Sequence, residues 1–205
     1  MNPTVHLLCL AGSLRRESWN RRLLQAAAGA APAGVRATVY DALAAVPLFD
    51  EDLEQADPAG PAGVRALRQA IAAADGLVIA TPEYNHALPG VLKNALDWIS
   101  REGPEGEVLA GKPVAVLGAS GGPWGTRLAQ ASLRQVLHAC GALVMPSPAL
   151  YVAHAAQRFD ARGGLADAAT RTALAAFMDA AAAWTARLAA RPAAAPDEPA
   201  ALQQA

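Results

Sequence analysis

The sequence predicts an α/β protein built on a doubly wound, five-stranded parallel sheet in the order 2-1-3-4-5, with helices on both faces. Three observations predict it. Short apolar runs alternate along the chain with segments of helical periodicity. The run Gly76-Leu77-Val78-Ile79-Ala80 is continuously apolar, as in a central strand covered on both faces. Polar segments bearing glycine or proline follow the first, third and fourth runs, and a sheet of this order gathers its ligand loops beyond those strand ends.

In chain order, the first strand is expected over residues 4–10 and the first helix over residues 18–30. Residues 36–40 read as the second strand. Residues 61–74 read as the second helix, with Val64, Leu67 and Ile71 at helical spacing. After the third strand (residues 76–80), Pro89 is a good first residue for a helix carrying Val91, Leu92, Ala95, Leu96 and Ile99. Residues 113–118 form the fourth strand and residues 126–139 its helix. Residues 142–145 form the fifth strand, with Tyr151-Val152 as an extension, and residues 167–189 the last helix. The connection at residues 41–61, acidic and with three prolines, is expected to cover a site or a subunit interface. Residues 1–190 thus make one domain, and the Ala- and Pro-rich residues 191–205 are expected to be a disordered tail.

With 205 residues and 53% hydrophobic content, the chain can bury a full core. A formal charge of −1, from 17 basic and 18 acidic residues, argues against nucleic acid or an anionic membrane as the main partner. Two cysteines, Cys9 and Cys140, are too few for a disulfide framework or an iron–sulfur cluster, and no metal site is expected. The first residues carry neither a basic n-region nor a long apolar h-region, and no run reaches membrane-spanning length, so a cytoplasmic protein is expected.

The segment after the first strand, Gly12-Ser13-Leu14-Arg15-Arg16-Glu17-Ser18-Trp19-Asn20, leads into a helix. A helix N-terminus presents unpaired N–H groups and a positive dipole end, which favour an anion. Arginines oppose that dipole, so Arg15, Arg16, Arg21 and Arg22 make sense if a phosphate lies among them. Without a G-x-x-x-x-G-K-[ST] or G-x-G-x-x-G pattern, the loop suits a monophosphate. The plainer alternative is a capped helix with Ser18 as N-cap and its arginines in solvent.

After the third strand come Thr81-Pro82-Glu83-Tyr84-Asn85-His86-Ala87-Leu88-Pro89-Gly90, a constrained path that can line the edge of a planar heterocycle. Glu83 is a candidate acid or base and His86 a candidate proton donor, but each taken singly reads more readily as a solvated loop residue. After the fourth strand come Ser120-Gly121-Gly122-Pro123-Trp124-Gly125, where glycines permit close ligand approach and Trp124 can flank a ring. This loop also matches the hydrolase elbow G-x-S-x-G at Gly118-Ala119-Ser120-Gly121-Gly122, with His138, His154, Asp160 and Asp167 downstream. Several non-helical residues follow the serine, which weighs against an elbow.

Together these segments resemble the NAD(P)H-dependent FMN reductase family, close to its bacterial quinone and chromate reductases. The matching residues are Gly12-Ser13-Leu14-Arg15 with Ser18 and Asn20, then Pro82-Glu83-Tyr84-Asn85 running through Pro89-Gly90 to Asp97-Trp98. Gly111-Lys112-Pro113-Val114, Ser120-Gly121-Gly122 and Leu133-Arg134 complete the set. The likeness covers about residues 5–145.

The resemblance implies a flavodoxin-like fold holding FMN without a covalent bond. Ser13, Arg15, Ser18 and Asn20 would take the phosphate, Pro82, Glu83, Tyr84 and Asn85 would line the isoalloxazine, and Ser120, Gly121 and Gly122 would close the far side. Hydride would pass from the co-substrate NAD(P)H to flavin and on to a small-molecule acceptor in a ping-pong scheme, with quinones first and azo compounds, nitro compounds or chromate next. No catalytic side chain is assigned, since the cofactor carries the chemistry. Apart from the resemblance, Arg127 and Arg101 are the candidates to reach the 2′-phosphate of NADPH, and each reads also as a plain surface charge, so the sequence leaves the choice between NADH and NADPH open. The resemblance also implies a homodimer or homotetramer, with Lys93, Asn94, Asp97 and Trp98 as interface contacts or supports of the flavin loop. The plainer reading of those four is an amphipathic helix with a Lys93–Asp97 pair worth ~0.3–0.5 kcal/mol. Two other classes stand beside the reductase: a flavodoxin-like electron carrier, and a serine hydrolase using Ser120.

Overall fold

The computed structural model describes residues 5–189, and the tail expected at residues 191–205 lies outside them. Strands β1 (Val5–Ala11), β2 (Val35–Tyr40), β3 (Gly76–Ala80) and β4 (Pro113–Ala119) run parallel in the order 2-1-3-4. Two short strands, β5 (Leu143–Val144) and β6 (Leu150–Val152), both pair with β4, giving the path 2-1-3-4-5 with β6 beside it. The expected single fifth strand is therefore two. Pro113 and Val114 pair with β5, while Leu117, Gly118 and Ala119 pair with β6. Pro146 and Pro148 lie between them, and proline cannot donate to a ladder.

The helices are α1 (Trp19–Gly29), α2 (Glu51–Ala56), α3 (Ala62–Ala72), α4 (Gly90–Ile99), α5 (Arg127–Ala139) and α6 (Ala168–Ala189). Side-chain alternation along each strand divides the core into two layers. Leu8, Leu10, Leu77, Ile79, Val114 and Val116 meet residues of α3, α4 and α5 on one face. Leu7, Cys9, Val78, Ala115 and Leu117 meet α1 and α6 on the other. Burial raises the Cys9 thiol to about 12, so it is a packing group.

Sequence boundaries hold to within a residue or two, with corrections at the caps. Ser18 and Pro89 are N-caps and stand just outside α1 and α4, and Pro61 plays the same part before α3. The 41–61 connection contains α2, with Asp50 accepting the N–H of Asp52 at 2.9 Å and acidic residues Glu51, Asp52 and Glu54 favouring the dipole. It also covers the helix layer. The Asn94 carboxamide accepts from Phe49 N–H and donates to the Pro47 carbonyl, both at 2.7 Å, and the Trp98 indole donates to that carbonyl at 3.0 Å. Trp98 is 2% exposed and edge-on to Phe49, so it serves this contact and offers nothing to another subunit. Lys93 and Asp97 form the expected i, i+4 pair.

Among the described residues no helix is long and apolar enough to cross a membrane, and no cluster of His, Cys, Asp or Glu could hold a metal.

Candidate functional site: a cleft at the switch point

The chain reverses its strand order between β1 and β3, and the segments leaving the carboxyl ends of β1, β3 and β4 meet there. They enclose a cleft of about 310 Å3 lined by Ser13, Arg15, Ser18, Trp19, Asn20, Pro82, Glu83, Tyr84, Ala119, Ser120 and Gly121. Nine of the eleven sequence-predicted residues line it. Asn85 and Gly122 lie just outside, and Trp19 and Ala119 are additions.

Close approach of the second and third segments depends on Gly118. A Cβ there would fall 2.2 Å from Thr126 Oγ1 and 2.3 Å from the Thr81 carbonyl oxygen.

In the first segment, Ser18 caps α1 by accepting from Arg21 N–H at 3.4 Å, and its residue is nearly fully buried. Ser13 Oγ accepts the N–H of Arg15 at 3.3 Å, and the Arg15 guanidinium donates to the Glu17 carbonyl at 2.6 Å. Among the described residues, the N–H groups of Ser13, Leu14, Trp19 and Asn20 have no protein acceptor. Hydroxyls, a guanidinium and unpaired N–H groups at a helix start make a donor set suited to a phosphate monoester.

Two parts of the sequence expectation change here. Arg21 pairs with Asp41 at 2.9 Å, and Arg22 pairs with Glu17 while lying 5.0 Å above the Trp19 ring, so neither lines the cleft. Asn20, 2% exposed, spends both ends of its carboxamide on Ala119, accepting from its N–H at 2.8 Å and donating to its carbonyl at 2.9 Å. It ties the start of α1 to the end of β4, so its part in the cleft is to hold the two walls together.

In the second segment, Tyr84 and Ala87 exchange backbone hydrogen bonds of 3.1 and 3.0 Å across a tight turn. Asn85 and His86 have φ of 50° and 64°, which makes it a type I′ turn. Asparagine and histidine are among the non-glycine residues most often found in that region. The turn lifts Tyr84 to the lip of the cleft, half-exposed.

Glu83 does not stand free as an acid or base. Its Oε2 accepts the N–H groups of Leu128 at 2.9 Å and Ala129 at 3.0 Å, capping α5, whose own N-cap Thr126 makes no side-chain cap bond. Its Oε1 lies 3.7 Å from Nδ1 of the exposed His86.

In the third segment, Ser120 N–H donates to the Val152 carbonyl, and the N–H groups of Ala155 and His154 donate to the carbonyls of Ser120 and Gly122. This backbone lattice fixes the floor, while a Cβ on Gly121 would meet nothing within 4 Å and one on Gly122 only Ser120 Oγ at 3.9 Å. The floor is therefore open enough for a flat ring to lie against main chain.

The hydrolase reading fails on this geometry. Ser120 Oγ donates to the Gly125 carbonyl at 2.7 Å, no imidazole among the described residues bonds it, and α5 begins only at Arg127. Asp167 caps α6 and pairs with Arg158.

The sequence pattern of the family described as NADPH-dependent FMN reductase matches residues 5–157. A 2-hydroxy-1,4-benzoquinone reductase of Burkholderia sp is 45% identical over 181 residues, covering 88% of this chain and 96% of that protein. An NAD(P)H-dependent FMN reductase of Pseudomonas aeruginosa is 39% identical over 188 residues, covering 92% and 99%. Among solved structures, the flavoenzyme NAD(P)H:(acceptor) oxidoreductase FerB from Paracoccus denitrificans superposes with a TM-score of 0.79 at 32% identity, over 89% of this chain and 98% of that one.

Proposed function

The chain belongs to the NADPH-dependent FMN reductase family, and on that premise we propose that it oxidises NAD(P)H and delivers the reducing equivalents to quinones by a ping-pong scheme. Nitro compounds, azo compounds and chromate are further acceptors in this reading. The family is one of oxidoreductases with FMN as cofactor, which sets aside a pure electron carrier. Similarity to a benzoquinone reductase along nearly its whole length supports quinones as the acceptor class.

The observation that carries the proposal is one open cleft in which a phosphate-type donor set, an aromatic lip and a glycine floor face the same space. FMN, when bound, supplies the hydride chemistry itself, so the protein has to bind, orient and exclude water. Ser13, Arg15 and Ser18, with the unpaired N–H groups at the α1 start, would hold the phosphate. Pro82, Glu83, Tyr84 and Asn85 would border the ring system, and Ser120, Gly121 and Gly122 would back it. Glu83 keeps its carboxylate on α5, so no proton transfer is asked of it. A single cleft serves donor and acceptor in turn, hence the ping-pong order. The homodimer or homotetramer belongs to the same reading, and light scattering counts the subunits.

Initial rates at several fixed concentrations of 1,4-benzoquinone test the scheme. Parallel double-reciprocal lines are expected with either nicotinamide donor, and intersecting lines would require a ternary complex and overturn it.

A further inference from the structure

A second cavity of about 340 Å3 opens beside the cleft, lined by Glu83, His86, Trp124, Arg127 and Leu128. Glu83 lines both cavities. Trp124 is 69% exposed there, the most exposed aromatic among the described residues.

Arg127 has a built environment in this cavity. Its guanidinium carbon lies 5.9 Å from the Trp124 ring centroid and 5.7 Å from that of Tyr151. The turn that places it needs a left-handed residue in close contact: Gly125 has φ +65°, and a Cβ there would fall 2.9 Å from Tyr151 Cβ. Aromatic faces restrain a guanidinium without using its N–H edge, which stays available for bidentate bonding to an oxyanion. Among the described residues Arg127 makes no ion pair. The one carboxylate in the cavity wall, Glu83, is spent on the N–H groups of Leu128 and Ala129.

Arg101, the other arginine that could serve, is accounted for elsewhere. Its Nε donates to both carboxylate oxygens of Glu54 at 2.8 and 3.1 Å, and it borders a different cavity, between α4 and α5.

We propose that Arg127, held against Trp124 and Tyr151, binds the 2′-phosphate of NADPH and sets the preference between the two nicotinamide donors. This rests on the proposed NAD(P)H oxidation and names a residue that discriminates within it. A phosphate dianion and a planar guanidinium make two parallel charge-assisted hydrogen bonds, and NADH has a hydroxyl in place of that dianion.

The test uses the FMN-loaded protein with wild-type sequence and with Arg127→Ala, Arg127→Lys or Arg101→Ala. The ratio of kcat/KM for NADPH to that for NADH is expected to fall about 10- to 100-fold in Arg127→Ala, the size of a lost charge-assisted bond. Arg127→Lys keeps part of the preference, and Arg101→Ala leaves the ratio where it was. Calorimetry with NADP+ and NAD+ provides a readout apart from turnover, with the NADP+ Kd rising selectively in Arg127→Ala. Arg127→Gln is the second variant should the alanine protein bind no FMN.

An unchanged ratio in both uncharged variants, a ratio that follows Arg101 instead, or a loss confined to the KM of the acceptor would each overturn the assignment. Wild-type protein that oxidises neither nucleotide would instead overturn the reductase reading beneath it.

Discussion

Glu83 reaches from the end of β3 to cap α5, its carboxylate accepting the N–H of Leu128 at 2.9 Å. A residue of the second segment thereby holds the first turn of the helix that follows the third segment. The two walls of the cleft are coupled through this carboxylate and cannot shift independently without losing a charge-assisted cap.

Replacing Glu83 by alanine removes both cap bonds and is expected to lower stability by about 1–2 kcal/mol. Glu83→Gln keeps an acceptor oxygen and recovers most of that. Urea unfolding gives the difference. A residual activity in Glu83→Gln within a few-fold of wild type, with no lost limb in its pH profile, separates a positioning role from proton transfer.

Asn20 holds the opposite wall. Asn20→Ala strips Ala119 of both backbone partners in a buried setting, and the expected cost is about 2–4 kcal/mol, the sum of two such losses. Asn20→Asp keeps the acceptor but loses the donor, so it falls between. Both are read from denaturant midpoints at constant slope.

The arginines of the first segment separate by their partners. Arg15→Ala is expected to weaken FMN binding by about 1.5–3 kcal/mol, the loss of one charge-assisted bond. Arg21→Ala leaves FMN affinity unchanged, because its guanidinium already pairs with Asp41. Fluorescence titration of FMN measures both.

Asp167 supplies a pH dependence of stability. The Thr170 hydroxyl and N–H donate to it at 2.6 and 2.8 Å and Arg158 at 3.0 Å, and these bonds hold its carboxyl below the ordinary range. A depressed carboxyl contributes stability that is complete above its unfolded value and lost as pH falls through the lower folded one. Unfolding midpoints followed down through the acid range are expected to fall less steeply in Asp167→Asn than in wild type.

Much of this was legible in the sequence, for identifiable reasons. Leu7, Val78 and Val116 belong to runs buried on both faces, so β1, β3 and β4 announce themselves by composition alone. The meeting of Ser13, Pro82 and Ser120 follows from strand order, since loops beyond reversed strands must converge. Helix α2 escaped because six mostly polar residues carry no apolar period, and its signal was the Asp50 cap. The roles of Glu83 and Asn20 depend on partners 45 and 99 residues away, where no local pattern reaches. Arg21 and Arg22 misled because charge near a helix start says nothing of where a long side chain ends.

In the proposed function the switch-point cleft holds FMN for reduction by a nicotinamide donor. A visible spectrum of the purified protein, alone and with added FMN, followed by anaerobic NADPH or NADH, tests it most directly. Flavin bands perturbed from those of free FMN, bleaching when the donor is added, are the expected result. A protein that leaves the FMN spectrum and fluorescence unaltered and oxidises neither nucleotide would contradict it.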